Sequence, residues 1–317
     1  MSKKFLLLIL FAIGLAFGQI SYSELFRTFD YYNGTLGEPI STSDFMPSGK
    51  GNLRILMRNR FAQVDKYWDD ELQNRQIKAD SAYNATYHRV LHMTSFDYGA
   101  TGWMDVGFRL PMMVQAADYL DDEPSYDADF GDFHFRLRAE PLSEIDYFWR
   151  SSIAAGLKMP TGNSKSHFIN TGNGTFDITL FWYNMLDFDG SRIMFDVGYI
   201  ITGSYKKDSS GVPIDIHNGD ISIVNLAYDF DIYDGIIGGF IASGAYMDRT
   251  KVFYNVGGPH YRNDDSYTTT ISPFVKAHIP GTPLSLSLGS VHTIQARNMP
   301  TLNGFQAGLQ VDGKIWF

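Results

Sequence analysis

Phe305-Gln306-Ala307-Gly308-Leu309-Gln310-Val311-Asp312-Gly313-Lys314-Ile315-Trp316-Phe317 is the stretch on which the fold turns. Counted back from Phe317 in steps of two, Ile315, Gly313, Val311, Leu309, Ala307 and Phe305 are all apolar or glycine. The positions between them, Trp316, Lys314, Asp312, Gln310, Gly308 and Gln306, are mostly polar. In an extended chain successive side chains point to opposite faces, so this strand has one apolar face and one polar face. Two architectures use such a strand. A water-soluble sandwich turns the apolar face to a core. A membrane barrel turns it to lipid and the polar face to its lumen.

The same alternation recurs upstream. Met104, Val106, Phe108, Leu110 and Met112 oppose a set that includes Asp105 and Arg109. Phe133, Phe135, Leu137 and Ala139 oppose His134, Arg136, Arg138 and Glu140. Tyr267, Ile271, Val275, Ala277 and Ile279 oppose Thr268, Thr270, Ser272, Lys276 and His278. The pattern predicts about twelve strands, near 51–64, 86–97, 103–115, 131–140, 147–159, 174–187, 191–205, 219–231, 235–249, 266–279, 284–297 and 304–317. Short turns at 97–102, 142–146, 188–190, 232–234 and 280–283 alternate with longer loops at 65–85, 116–130, 160–173, 206–218 and 250–265. An antiparallel transmembrane β-barrel of the bacterial outer-membrane type has that rhythm, with short periplasmic turns and long outer loops. The closing aromatic, Phe317, is similar to the C-terminal strand signature of such proteins, and is expected to act as the assembly signal read by the barrel assembly machinery.

The opposite end of the chain agrees with export. Lys3 and Lys4 precede an apolar run from Phe5 to Phe17, and Ala16-Phe17-Gly18 supplies small residues for cleavage. The run is shorter than the roughly 20 residues a spanning helix needs, so residues 1–18 read as a signal peptide. Residues 19–50 fit no strand: Gly34, Gly37, Pro39, Pro47 and Gly49 break any period, which predicts a periplasmic extension or a lumen plug. Residues 51–317 are then the barrel.

Composition narrows the function. The formal charge is −9, and an acidic exported chain makes a poor nucleic-acid binder. Cysteine is absent, so closure of backbone hydrogen bonds has to take the place of disulfides. His88 and His92 would chelate together on a helix, but on a strand they lie about 13 Å apart. No His-x-Ser pair and no Gly-x-Ser-x-Gly elbow occurs. Neither an enzyme nor a cofactor is therefore expected, and the partners are outer-membrane lipids and a small solute. The acidic run Asp118 to Asp132 has no Lys or Arg, lacks EF-hand spacing, and reads as a solvated outer loop.

The charged residues on the polar faces are the best functional clue. A charge on the lipid face costs about 2–4 kcal/mol at the midplane, so intramembrane charges are expected to face inward. Arg54, Arg58 and Arg60 share one parity on the first strand, and Arg109, Arg136, Arg138, Arg150 and Lys158 take the polar parity on the next few strands. They are expected to line the pore as a basic wall, with Asp105, Glu140, Asp177, Asp196 and Asp312 as partners. The wall either selects small anions such as aromatic acids or forms an ion-pair lattice filling a narrow barrel.

Several glycine-based motifs carry a family resemblance. Ala155-Gly156-Leu157-Lys158-Met159-Pro160-Thr161-Gly162-Asn163 ends one strand, and Asn170-Thr171-Gly172-Asn173-Gly174-Thr175-Phe176-Asp177 follows it. Upstream lie Phe96-Asp97-Tyr98-Gly99, Trp103 to Pro111, and Gly131-Asp132-Phe133. Together, over roughly residues 86–317, they resemble the outer-membrane transporter family named for the phenol meta-cleavage pathway. The resemblance implies a barrel and a channel for small compounds, aromatic ones among them. Residues 19–50 and 65–85 have no counterpart in it. Physically, Pro160 ends the strand because it cannot donate to a ladder, and Thr161-Gly162-Asn163 suits a turn. Lys158 either secures that strand end or touches a solute.

Overall fold

In the computed structural model the structure describes residues 46–63, 66–68, 76–78, 85–119, 125–141, 148–162, 174–209, 212–217, 219–249, 251–253, 260–261, 265–297, 299–300 and 303–314. The expected signal peptide, Phe317 and most of residues 19–50 lie outside them.

Twelve antiparallel strands form one sheet. They are β1 (Asn52–Gln63), β2 (Ala85–Gly99), β3 (Met104–Tyr119), β4 in two pieces (Ser125–Phe130 and Phe133–Ala139), β5 (Trp149–Met159), β6 (Asp177–Asp187), β7 (Ser191–Ile201), β8 (Ile221–Tyr233), β9 (Ile236–Met247), β10 (Ser266–His278), β11 (Leu284–Arg297) and β12 (Asn303–Lys314). Each strand pairs with its sequence neighbour, and β1 pairs with β12 in an unbroken register from Asn52↔Lys314 to Gln63↔Asn303. The sheet therefore closes on itself and leaves no edge. In lipid, where no water satisfies a stray N–H or C=O, strands can span only in that arrangement. Among the described residues no helix is long and apolar enough to cross a membrane, and the crossing is made by strands.

Parity decides which face each residue meets. On β7, Ile193, Phe195, Val197, Tyr199 and Ile201 are exposed, while Met194, Asp196, Gly198 and Ile200 are buried. On β8, Val224, Leu226 and Phe230 are exposed, and Ile223, Asn225, Ala227 and Asp229 are buried. A band of exposed large apolar side chains around the outside, with charges inside, is the inverse of a soluble protein and matches lipid. At the short-turn end the exposed Trp103, Phe148, Trp149, Phe188 and Tyr233 mark the membrane interface.

Two expectations need correction. Residues 116–130 are not a plain loop: β3 runs on to Tyr119, and Ser125–Phe130 pairs with Met112–Ala117. The acidic side chains hid the alternation there, while the backbone of β3 beyond Arg109 still needed partners, which the first piece of β4 supplies. Strand β4 is interrupted at Gly131-Asp132, whose consequence is described below. The stretches 65–85, 206–218 and 250–265 also contain paired backbone. Lys66–Trp68, Gln76–Lys78 and Met299–Pro300 form one small sheet. Ser204–Ser209, Val212–His217, Lys251–Phe253 and His260–Tyr261 form another.

Candidate functional site

The inward face from β1 to β5 carries a network of ion pairs. Arg54 Nε donates to Asp312 Oδ1 at 3.2 Å, tying β1 to β12. Arg58 and Arg60, four and six residues further along the same face, are buried. Fully buried Arg138 on β4 donates through Nε to Asp105 Oδ1 at 3.3 Å and through Nη2 to the other carboxylate oxygen. Arg150 on β5 grips Glu140 with both Nε and Nη2, each at 2.6 Å. Two parallel N–H donors matched to one carboxylate is the geometry that makes arginine more than a point charge.

Arg136 and Asp97 show how the backbone is cut to fit this network. They sit on β4 and β2, with Gly107 of β3 between them in register. Arg136 Nη2 reaches across to Asp97 Oδ1 at 2.6 Å. A Cβ on Gly107 would stand 2.0 Å from that same oxygen, so only glycine leaves the passage open. Arg109, on the inward parity of β3, faces the same cluster, and Tyr183 of β6 borders it.

Lys158 is the hub of the opposite end. Its Nζ, fully buried, lies 3.0 Å from Asp132 Oδ2 and 2.9 Å from Asp177 Oδ2, and donates to Thr175 Oγ1 at 3.2 Å. Both carboxylates then hold loops. Asp132 accepts the Gly162 N–H at 2.9 Å, and Asp177 accepts the Gly203 N–H at 2.9 Å. Thr161 Oγ1 accepts the Phe133 N–H at 2.8 Å and donates to the Gly131 carbonyl at 3.3 Å. The interruption of β4 at Gly131-Asp132 thus has a cause: it turns Asp132 toward Lys158 while Thr161 and Gly162 cover the gap. The Lys158-Met159-Pro160-Thr161-Gly162 motif is a latch between two strands.

The other expected site residues are placed as follows. Asp196 does not meet an arginine; it accepts Asn225 Nδ2 at 2.8 Å, because Asn225 of β8 lies opposite it in register and the basic wall ends two strands earlier. His92 faces outward, hydrogen-bonded to Asn59 Oδ1 at 2.9 Å and Thr94 Oγ1 at 2.8 Å, and does not share an inward site. The side chains from Asp118 to Asp127 lie outside the described residues. Sequence reasoning missed Asp97, which the turn at 97–102 concealed, although its parity with Ser95 placed it inside. It also missed Asp132, read as part of an acidic loop, and the Arg192–Asp229 pair at 2.8 Å on β7 and β8.

Beside the charged cluster the inner face carries an apolar patch. Met185, Met194, Ala227, Ile241 and Phe274, from β6 to β10, cluster with Met46, and Tyr183 packs against them. The inner face of β6 to β10 thus holds an apolar patch among polar groups such as Asp196, Asn225, Asp229 and Lys276.

No family model matches the chain, and no curated relative matches it. Solved structures do. A crystal structure of an outer membrane channel from Pseudomonas putida F1 superposes with a TM-score of 0.70 at 12% identity, covering 86% of this chain and 99% of that one. The transport unit of the autotransporter AIDA-I from Escherichia coli superposes at 0.50 with 8% identity, covering 93% of this chain and 100% of the other. The fold is that of the outer-membrane β-barrels. With its lipid-facing apolar band, that fold places the chain in an outer membrane.

Proposed function

We propose that the chain is an outer-membrane channel for passive passage of small solutes, with small anions, aromatic acids among them, as its preferred class. One observation carries the reading: the imbalance of fixed charge on one inner wall. From β1 to β5 the described inward residues include Arg54, Arg58, Arg60, Arg109, Arg136, Arg138, Arg150 and Lys158, against Asp97, Asp105, Asp129, Asp132 and Glu140. An excess of one sign within a low-dielectric wall raises the local concentration of counter-ions, and rings of cationic side chains select anions. The likeness to the Pseudomonas putida channel and the resemblance to the phenol-pathway transporters support the coarse function. The aromatic preference rests on the resemblance alone. Lipids of the outer membrane and the assembly machinery are the partners this reading requires.

The test is the reversal potential in planar bilayers under a salt gradient. Anion preference is expected, and it should fall when Arg136 and Arg138 become Gln. A cation preference would show that the acidic groups dominate and that the basic wall is not the selecting element.

A second reading is favoured by the pairing itself. Arg136, Arg138, Arg150 and Lys158 each hold a carboxylate, as a closed structural or surface-binding barrel would need. On that reading the same substitutions leave conductance absent and lower thermal stability, because they strand buried carboxylates.

A further inference from the structure

The segment that leads into β1 does not approach from outside. It lies in the lumen. Met46 is 5% exposed and belongs to the apolar cluster with Met185, Met194, Ala227, Ile241 and Phe274, which come from five consecutive strands. The Ser48 N–H donates to Asp105 Oδ2 at 3.1 Å, the carboxylate that already holds Arg138. Arg54 Nη1 donates to the Met46 carbonyl at 3.3 Å, and Asn52 Nδ2 to the Ser48 carbonyl at 2.6 Å. The segment thus touches the ionic wall with its backbone and the apolar wall with its side chain.

The turn that directs it inward is built for the purpose. Gly49 and Gly51 have φ of 81° and 74°, values that L side chains rarely adopt. The Gly51 N–H donates to the Gly99 carbonyl at 2.8 Å, and the Asn52 N–H to the Gly49 carbonyl at 3.1 Å. Gly99 of β2 leaves room for this: a Cβ there would stand 1.7 Å from the Gly49 oxygen.

We propose that residues 46–51 are a strap that closes the lumen from within, with Met46 seated on the apolar wall as its head. The proposal rests on the channel reading. An ion pathway gains nothing from a buried methionine cluster covered by an incoming backbone segment, whereas a hydrophobic constriction closes a pore by excluding water. Methionine suits a seat that must be both filled and released, since its flexible thioether adapts to an irregular surface. The clip through Asp105 ties the strap to the ionic network around Arg138. Withdrawal of the strap frees Asp105 of one donor and uncovers the patch in the same step.

Two substitutions release the strap in different ways. Met46→Asp puts a charge on the apolar seat, and Gly49→Val puts a β-branched side chain at positive φ. Both are recorded in planar bilayers beside the wild type, after heat-dependent gel mobility has shown each barrel folded. At least a tenfold rise in open probability is expected for both; wild-type values in both would overturn the proposal. A second measurement does not depend on conductance. The chain has no cysteine, so Met46→Cys carries the sole thiol. Its labelling by a membrane-impermeant maleimide should be slow, and at least tenfold faster when Gly49→Val is added. Equal rates would overturn the strap whatever the conductance. Slow labelling relieved by Gly49→Val in a protein that never conducts would keep the strap and remove the channel reading instead.

Discussion

At the scale of single residues, the inner wall is organised around side chains whose neighbours are shaped for them. Lys158 is the clearest case. It is fully buried between Asp132 and Asp177, and each carboxylate also holds a loop N–H. Removing one member of a buried ionic group costs about 3–5 kcal/mol, because the remaining charges stay desolvated. Lys158→Met is therefore expected to lower unfolding free energy in urea by about that amount. Adding Asp132→Asn and Asp177→Asn should recover much of the loss, and a triple variant no more stable than Lys158→Met would show that the effect is packing rather than charge. Gly107 makes the companion case. Gly107→Ala should break the Arg136–Asp97 bridge and cost about 3 kcal/mol, whereas Gly313→Ala, which meets open space, should be close to neutral.

At the scale of strands, the alternation of period two was enough to locate the staves, because the lipid face and lumen face impose opposite chemistry at every step. Residues 191–201 show this. Ile193, Phe195, Val197 and Tyr199 point out, and Met194, Asp196 and Gly198 point in. What the strands hid was context. The partner of an inward charge lies on another strand, and register, not spacing, fixes which one. Parity alone could say that Asp196 faces inward; it could not say that Asn225 lies opposite it. The break in β4 was hidden for a related reason: Asp132 looks solvated until Lys158 is brought beside it. The outward face gives a sharp prediction. Val197→Arg at mid-strand should cost about 2–4 kcal/mol in bilayer-reconstituted folding, while Ser222→Arg, at the strand's end, should cost about 0–1. The C-terminal pattern gives another: Phe317→Ser should lower the amount of folded barrel in the outer membrane, and unchanged levels would make the terminal aromatic incidental.

At the scale of the whole molecule, closure explains how a chain without cysteine, and without a spanning helix among its described residues, holds together. Twelve antiparallel strands satisfy one another, and the β1–β12 register leaves neither edge open. Ion pairs inside and apolar side chains outside then follow from the solvent on each face. The placement of Met46 in the lumen follows from the sequence only in part: Pro47, Gly49 and Gly51 announce a break in periodicity, but nothing in their spacing says that the chain turns inward. The measurement that tests closure most directly is gel mobility before and after boiling. A closed barrel resists detergent until heated, so unboiled and boiled protein should run at different positions, with a single temperature separating them. Identical mobility, together with solubility in the absence of detergent, would contradict the barrel and restore the soluble sandwich that the alternation alone allows.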